Sequence, residues 1–227
     1  MTEARWLACR DPEAMLDVAR FGGSDRKLRL FALACVRVIT DQLSRDESKA
    51  AVDAIERYAE GKATRADLQR AWNGALAALH DIIEDASEQR WYYVSEYAAD
   101  AVALASNPEL AENITGVAAR CVHTLITAGD LSEEIVRDNE IARQTNLIRD
   151  IFGNPFRPVV FDPNWRTSTV VALARGIYDE RAFDRLPILA DALQDAGCVS
   201  DDILTHCRGP GPHVRGCWVV DLVLGKS

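Results

Sequence analysis

Residues 212–225, PHVRGCWVVDLVLG, form a run that reads either as a strand or as a helix, and the choice decides the fold class. Val219, Val220 and Val223 have strand propensity. A strand needs a neighbour to take up its backbone N–H and C=O groups, and no partner strand is evident elsewhere in the chain. Pro212 at a first turn and Gly225 as a cap frame the same run as a helix. Agreement with the rest of the sequence then favours an all-α fold, a helical bundle.

Upstream, nearly every segment has helical period and helical punctuation. Ser24 caps a stripe of Leu28, Phe31, Ala32, Cys35, Val36 and Ile39 at i, i+3, i+4 spacing. Ser44 opens a second helix, with Val52, Ile55, Tyr58 and Ala59 inward and Gly61 just past its end. Thr64 and Asp67 form a capping box before a run through Leu68, Trp72, Ala75, Leu76, Leu79, Ile82 and Ile83. A polar stretch from Glu84 to Arg90 predicts a break or bend. The aromatic cluster Trp91, Tyr92, Tyr93 and Tyr97 follows and reads as core between two long helices rather than as an exposed patch. Asn107-Pro108 predicts a helix restart, and a stripe from Ile114 to Leu125 ends at Gly129. A further helix is expected from about Ser132 to Phe152, closed by Gly153.

The segment GNPFRPVVFDPNW, residues 153–165, has three prolines and no periodicity. Proline restricts its own φ and the residue before it, so this loop is expected to be stiff and extended. It separates an N-terminal helical body, 1–152, from a compact C-terminal helical segment, 153–227, the two expected to form one structural unit. Helices are predicted over Thr169–Asp179, Asp184–Gly197 and Ser200–Cys207.

Composition narrows the class. Hydrophobic residues make up 48% and charged residues 27% of 227 residues, which fits a chain that buries a core. The opening MTEARWLACRDPEAML has acidic residues where a signal peptide has basic ones, and charges interrupt every apolar stretch, so a cytoplasmic protein with no membrane partner is expected. The six cysteines show no CxxC pair, and in that compartment they stay reduced. A net charge of −9 argues against a nucleic-acid partner. Residues 149–227 hold 9 basic and 10 acidic side chains, net −1, which leaves 17 and 25, net −8, for residues 1–148.

Three stretches, LIRDIFGNPFRPV (147–159), TVVALARGIYDERAFDRLPILADALQDAGC (169–198) and HCRGPGPHVRGCWVVDLVLGK (206–226), resemble a family of uncharacterised proteins that occurs in many copies in Planctomycetes, especially Gemmata-like bacteria. MTEARWLACRDPEAML and SDRKLRLFALACVRVI resemble that family's start. The resemblance touches both ends of the chain and leaves roughly 60–145 matched by composition alone. It implies no activity and assigns no residue a role.

Chemistry-bearing side chains concentrate at the C-terminal end: His206, Cys207, Arg208, His213, Arg215 and Cys217. As a zinc site, Cys198, Cys207, His213 and Cys217 are the candidate ligands, with His206 as an alternative to Cys207; His213 and Cys217 share a face if that segment is helical. The spacing fits no established zinc pattern, and adjacent His206 and Cys207 would rarely hold one ion together. As a nucleophile, Cys207 or Cys217 would need His206 or His213 as base and Arg208 or Arg215 to lower its pKa. The favoured reading is a structural lock, with no cofactor, in which glycines and prolines shape the turn and Trp218, Val219, Leu222 and Val223 bury the last helix.

Arg157 is expected to tie its loop to neighbouring acids, and Asp179, Glu180, Asp184, Asp191 and Asp195 to form a solvated, ion-paired face with Arg181 and Arg185. No phosphate-binding glycine loop, HExxH or GxSxG occurs. The expected function is a non-enzymatic interaction or scaffold module for a protein partner. A small hydrolase or metal-dependent enzyme built on residues 206–217 is the alternative.

Overall fold

A computed structural model describes residues 1–85, 90–129 and 132–226. Twelve α-helices and four 3-10 turns, with no strand, make up the regular structure among the described residues, so the fold is all-α. No helix among them is long and apolar enough to cross a membrane. The chain divides into two compact units: Ala8–Thr145, and Met1–Leu7 together with the chain from Asn146 onward.

The first unit holds α2 (Pro12–Gly22), α3 (Asp25–Arg37), α4 (Asp46–Ala59), α5 (Arg65–Glu84), α6 (Arg90–Ser106), α7 (Ile114–Ala128) and the first turns of α8 (Glu133–Phe152). Helix α6 packs against α4, α5 and α7, and α3 packs against α4 and α7. Ser24 caps α3 through the Lys27 N–H, and the expected stripe on α3 is buried throughout. The capping box of α5 is present, with Thr64 and Asp67 serving each other's backbone N–H groups. Leu76 and Ile83 on the same helix are exposed, so its apolar stripe is narrower than the sequence suggests. Tyr92 is buried and Tyr93 exposed, which divides the aromatic cluster, while the Trp91 side chain and residues 86–89 lie outside the described ones.

Asn107-Pro108 forms a turn rather than a helix start. Asn107 Oδ1 accepts the Glu109 N–H at 2.8 Å, and α7 begins only at Ile114, after a 3-10 turn at Leu110–Glu112. The turn is fastened by Arg29, whose fully buried guanidinium donates to the carbonyls of Asn107 and Pro108 at 3.1 and 3.0 Å. In the same unit the half-buried Arg143 pairs with the buried Glu140 and also donates to the Ala34 carbonyl, and burial pushes the neighbouring Cys35 thiol up to about 12.

The second unit contains α1 (Glu3–Ala8, through Leu7), the end of α8, α9 (Ser168–Glu180), α10 (Leu186–Asp195), α11 (Asp201–Arg208) and α12 (Trp218–Leu224). The division thus falls inside α8 instead of after residue 152. Arg149 donates to the Trp6 carbonyl at 3.0 Å, Asn154 donates to Glu3 at 2.8 Å, and Phe156 meets Trp6 edge-on, which explains why the first residues go with the C-terminal part. The proline loop 153–165 is irregular as expected, apart from a 3-10 turn at Pro163–Trp165.

The core of this unit joins Val170, Ala174, Ile177 and Tyr178 of α9 to Leu186, Leu189, Ala190 and Leu193 of α10, Ile203 and Cys207 of α11, and Val219, Val220 and Val223 of α12. The second half of the run 212–225 is therefore a helix and not a strand. It starts at Trp218, six residues later than Pro212 implied, because residues 209–216 are occupied by a loop; Gly225, at φ +67°, ends it as expected.

Candidate functional site

Four side chains from separate segments of the second unit converge on one point. Asp150 sits in the last turn of α8, His206 on α11, His213 in the following loop, and Cys217 immediately before α12. One ligand-type atom from each lies within 4.8 Å of all the others.

Asp150 organises the cluster. Its Oδ1 lies 2.7 Å from His213 Nδ1 and 3.1 Å from His206 Nε2, and its Oδ2 accepts the Val214 N–H at 2.9 Å. His206 Nε2 also meets Cys217 Sγ at 3.2 Å. The second nitrogen of His213, Nε2, faces the Gly209 carbonyl at 3.4 Å. The two imidazoles pack edge to face with centroids 4.9 Å apart, and Trp218 covers His206 at 5.1 Å. The carboxylate is 2% exposed, His213 10% and His206 17%, while Cys217 is fully buried.

The electrostatics follow from this arrangement. Burial would raise the Asp150 pKa, but the hydrogen bonds and charges of His206 and His213 hold it below the usual carboxylate range. Burial works against charge on His213 as well, yet its bond to Asp150, that group's charge and the Gly209 carbonyl keep its pKa above the ordinary imidazole value. Burial, then the Asp150 carboxylate, push the Cys217 thiol well above its usual range. Asp150 also lies at the C-terminal end of a 20-residue helix, where the backbone carbonyls disfavour an anion. The cationic and donor groups around it offset that placement.

Of the residues singled out in the sequence, His206, His213 and Cys217 meet here and the others do not. Cys207 turns into the apolar core, its thiol pushed up to about 12 by burial. Adjacent helical residues point about 100° apart, so His206 and Cys207 face different surroundings. Cys198 is buried in that same core. Arg208 pairs with Asp191 and Gln194, each at 2.8 Å, on the surface. Arg215 donates to the carbonyls of Tyr178 and Asp179 at the end of α9 and lies over the Tyr178 ring. Arg157 reaches Asp202 at 3.3 Å and Glu3 at 3.9 Å. Of the expected acidic face, Glu180 pairs with Arg185 and Asp191 with Arg208, and Asp179, Asp184 and Asp195 are exposed.

Asp150 itself was missed by sequence reasoning. Its signal was an aspartate set between Ile148 and Ile151, both fully buried, in the stretch LIRDIF. A second group, His80, Asp81 and Glu84 on α5, is wholly exposed.

A cleft of about 160 Å³, lined by Asn146, Arg149, Asp150, His206, His213 and the Gly209–Pro212 turn, adjoins the cluster. A wider concavity of about 660 Å³ runs along α9 and contains Arg185 as its one charged side chain. Compared with family models, curated proteins and solved structures, the chain matches none.

Proposed function

We propose that this chain is a non-enzymatic interaction or scaffold module of the cytosol, with the Asp150 cluster as the structural lock of its C-terminal unit. The observation that carries the reading is the condition of Cys217. A nucleophilic cysteine needs a lowered pKa and access to substrate. Cys217 is fully buried, its thiol is held protonated by burial and by Asp150, and both nearby histidines are committed to that same carboxylate.

Size supports the same reading, because the adjoining cleft of 160 Å³ falls below the roughly 300–1,000 Å³ typical of small-molecule sites. All six cysteines are free, which suits a reducing compartment. The net charge of −9 favours a partner protein with a basic surface over a nucleic acid. Resemblance to a multi-copy family is in keeping with a module reused in many proteins.

Alkylation of the folded chain with iodoacetamide at neutral pH, mapped by mass spectrometry, tests this. Label is expected at the partly exposed Cys9, with Cys207 and Cys217 reacting only after unfolding. Labelling of Cys217 in the folded chain faster than that of a cysteine in an unstructured peptide would overturn the reading and favour a Cys/His enzyme.

A further inference from the structure

We propose that Asp150, His206, His213 and Cys217 bind a single structural zinc ion through Oδ1, Nε2, Nδ1 and Sγ. The inference builds on the reading of this cluster as a lock and specifies what closes it.

The donor set comes first. One carboxylate, two imidazoles and one thiol are all zinc ligands, and four protein ligands with no open position are the mark of a structural site. Calcium and magnesium require mostly oxygen donors, which this set lacks. Charge is balanced too: a carboxylate and a thiolate neutralise a dication, and two neutral imidazoles complete the shell, so the buried centre carries no net charge. As the Sγ–Zn bond forms, the thiol gives up its S–H proton to solvent, and any proton on His213 Nδ1 or His206 Nε2 leaves as well or moves to the other nitrogen of its ring.

Geometry agrees. Zinc bonds of about 2.0–2.3 Å in a tetrahedron set ligand atoms about 3.3–3.7 Å apart. The contacts present are 2.7 Å for Asp150–His213, 3.1 Å for Asp150–His206 and 3.2 Å for His206–Cys217. An ion at the centre needs two of these edges to open by a few tenths of an ångström and the third by somewhat more, while the other three edges lie within 4.8 Å.

The hydrogen bonds around His213 and Asp150 are those of a metal site. A ligating histidine almost always donates its other N–H to a carbonyl or carboxylate, and a ligating carboxylate is itself held by donors. His213 Nε2 faces the Gly209 carbonyl, which leaves Nδ1 for the ion, and the Val214 N–H holds Oδ2, which leaves Oδ1. One carboxylate oxygen facing two imidazole nitrogens, one of which also faces a thiol, is economical as a coordination shell.

The test uses the full-length, untagged chain produced in zinc-containing medium. Elemental analysis is expected to find close to one zinc per chain in the wild type and in His80→Ala, which removes the exposed α5 group, and none in Cys217→Ser. Should Cys217→Ser fail to fold, the wild type still decides. After chelation and Co(II) addition it should show the strong visible bands of a tetrahedral site and a thiolate-to-cobalt charge-transfer band, and zinc should bleach both. A wild type that carries no zinc and, once chelated, takes up neither zinc nor Co(II) would overturn the proposal, as would zinc that persists in a folded Cys217→Ser and vanishes in His80→Ala. Cysteine alkylation tests the non-enzymatic reading separately, so either can fail without the other.

Discussion

Replacing Asp150 by Asn keeps the shape of the side chain and removes its charge, which isolates what the carboxylate contributes to holding α8, α11 and the 209–216 loop together. In the wild type its two oxygens serve three partners: His213 Nδ1 at 2.7 Å, His206 Nε2 at 3.1 Å and the Val214 N–H at 2.9 Å. An amide cannot reproduce this. With its oxygen toward Val214, its NH₂ group can donate only to ring nitrogens that carry no proton, so both imidazoles must be neutral and the charge attraction is lost; with the oxygen toward the rings, two N–H groups oppose each other. Breaking a buried charged pair by removing one partner costs about 3–5 kcal/mol, and the amide's retained bond places this variant near the lower end, about 3 kcal/mol. For a urea dependence of about 1.5 kcal/mol per molar, the unfolding midpoint of the second unit should fall by about 2 M.

Buried thiols make the assay local. Cys198, Cys207 and Cys217 lie in the second unit and Cys35 and Cys121 in the first, so alkylation against urea, resolved by mass spectrometry, reads the two units separately. Both proteins are measured in excess chelator, which removes any contribution from a metal. Asp191→Asn, which breaks only the exposed pair with Arg208, should shift the midpoint by less than about 0.5 M. A shift for Asp150→Asn no larger than that of Asp191→Asn would refute the claim that this carboxylate ties the segments together.

Two further substitutions test local conformation. Gly153 and Gly225 have nearly the same backbone, φ +68° and +67°, but a Cβ on Gly153 would sit 3.3 Å from Trp218 Cγ, whereas one on Gly225 would meet only an Arg166 nitrogen at 3.9 Å. Both alanine variants should pay the left-handed strain of about 1–2 kcal/mol, and Gly153→Ala roughly 1 kcal/mol more for displacing the indole, measured as second-unit urea midpoints. In the first unit, Thr64→Ala should cost about 1 kcal/mol by removing the capping box of α5. The backbone N–H of Thr64, then its hydroxyl, lower the Asp67 pKa, so the aspartate's share of the cap is fully present above the ordinary carboxylate range and is lost as pH falls through the lowered value. The gap in midpoint between wild type and Thr64→Ala should therefore narrow only in strong acid, as read by circular dichroism in urea at each pH.

Helices were legible where the signal is local. Ser24, the Thr64–Asp67 box and Gly153 act within a turn of themselves, and each ends or begins a helix where the sequence places it. Leu76 and Ile83 misled because period alone does not say how wide a buried stripe must be; that depends on the neighbouring helix. Asn107-Pro108 misled because a capping residue followed by proline also suits a turn, and the distant Arg29 holds this one by its carbonyls.

The candidate site divides along the same line. His213 and Cys217 come together without the helix that would have justified their spacing, because the loop carries both side chains to Asp150. Separating His206 from Cys207 needed only helical geometry, once the limits of α11 were known. Asp150 was illegible because its partners lie more than fifty residues away, yet the sequence does hold its energetic oddity: an anion flanked by buried isoleucines at the end of a helix, where the dipole opposes it. Such a residue is tolerable only if compensated, and the compensating groups are two imidazoles and the Val214 N–H; with the Cys217 thiol against one of those imidazoles, the four side chains make a set whose shared property is affinity for a dication. Hydrogen bonds alone leave the thiol contributing little, since S–H is a weak donor. A zinc ion gives all four side chains a role at the same point, which is why metal content is the measurement that separates a polar core from a built site.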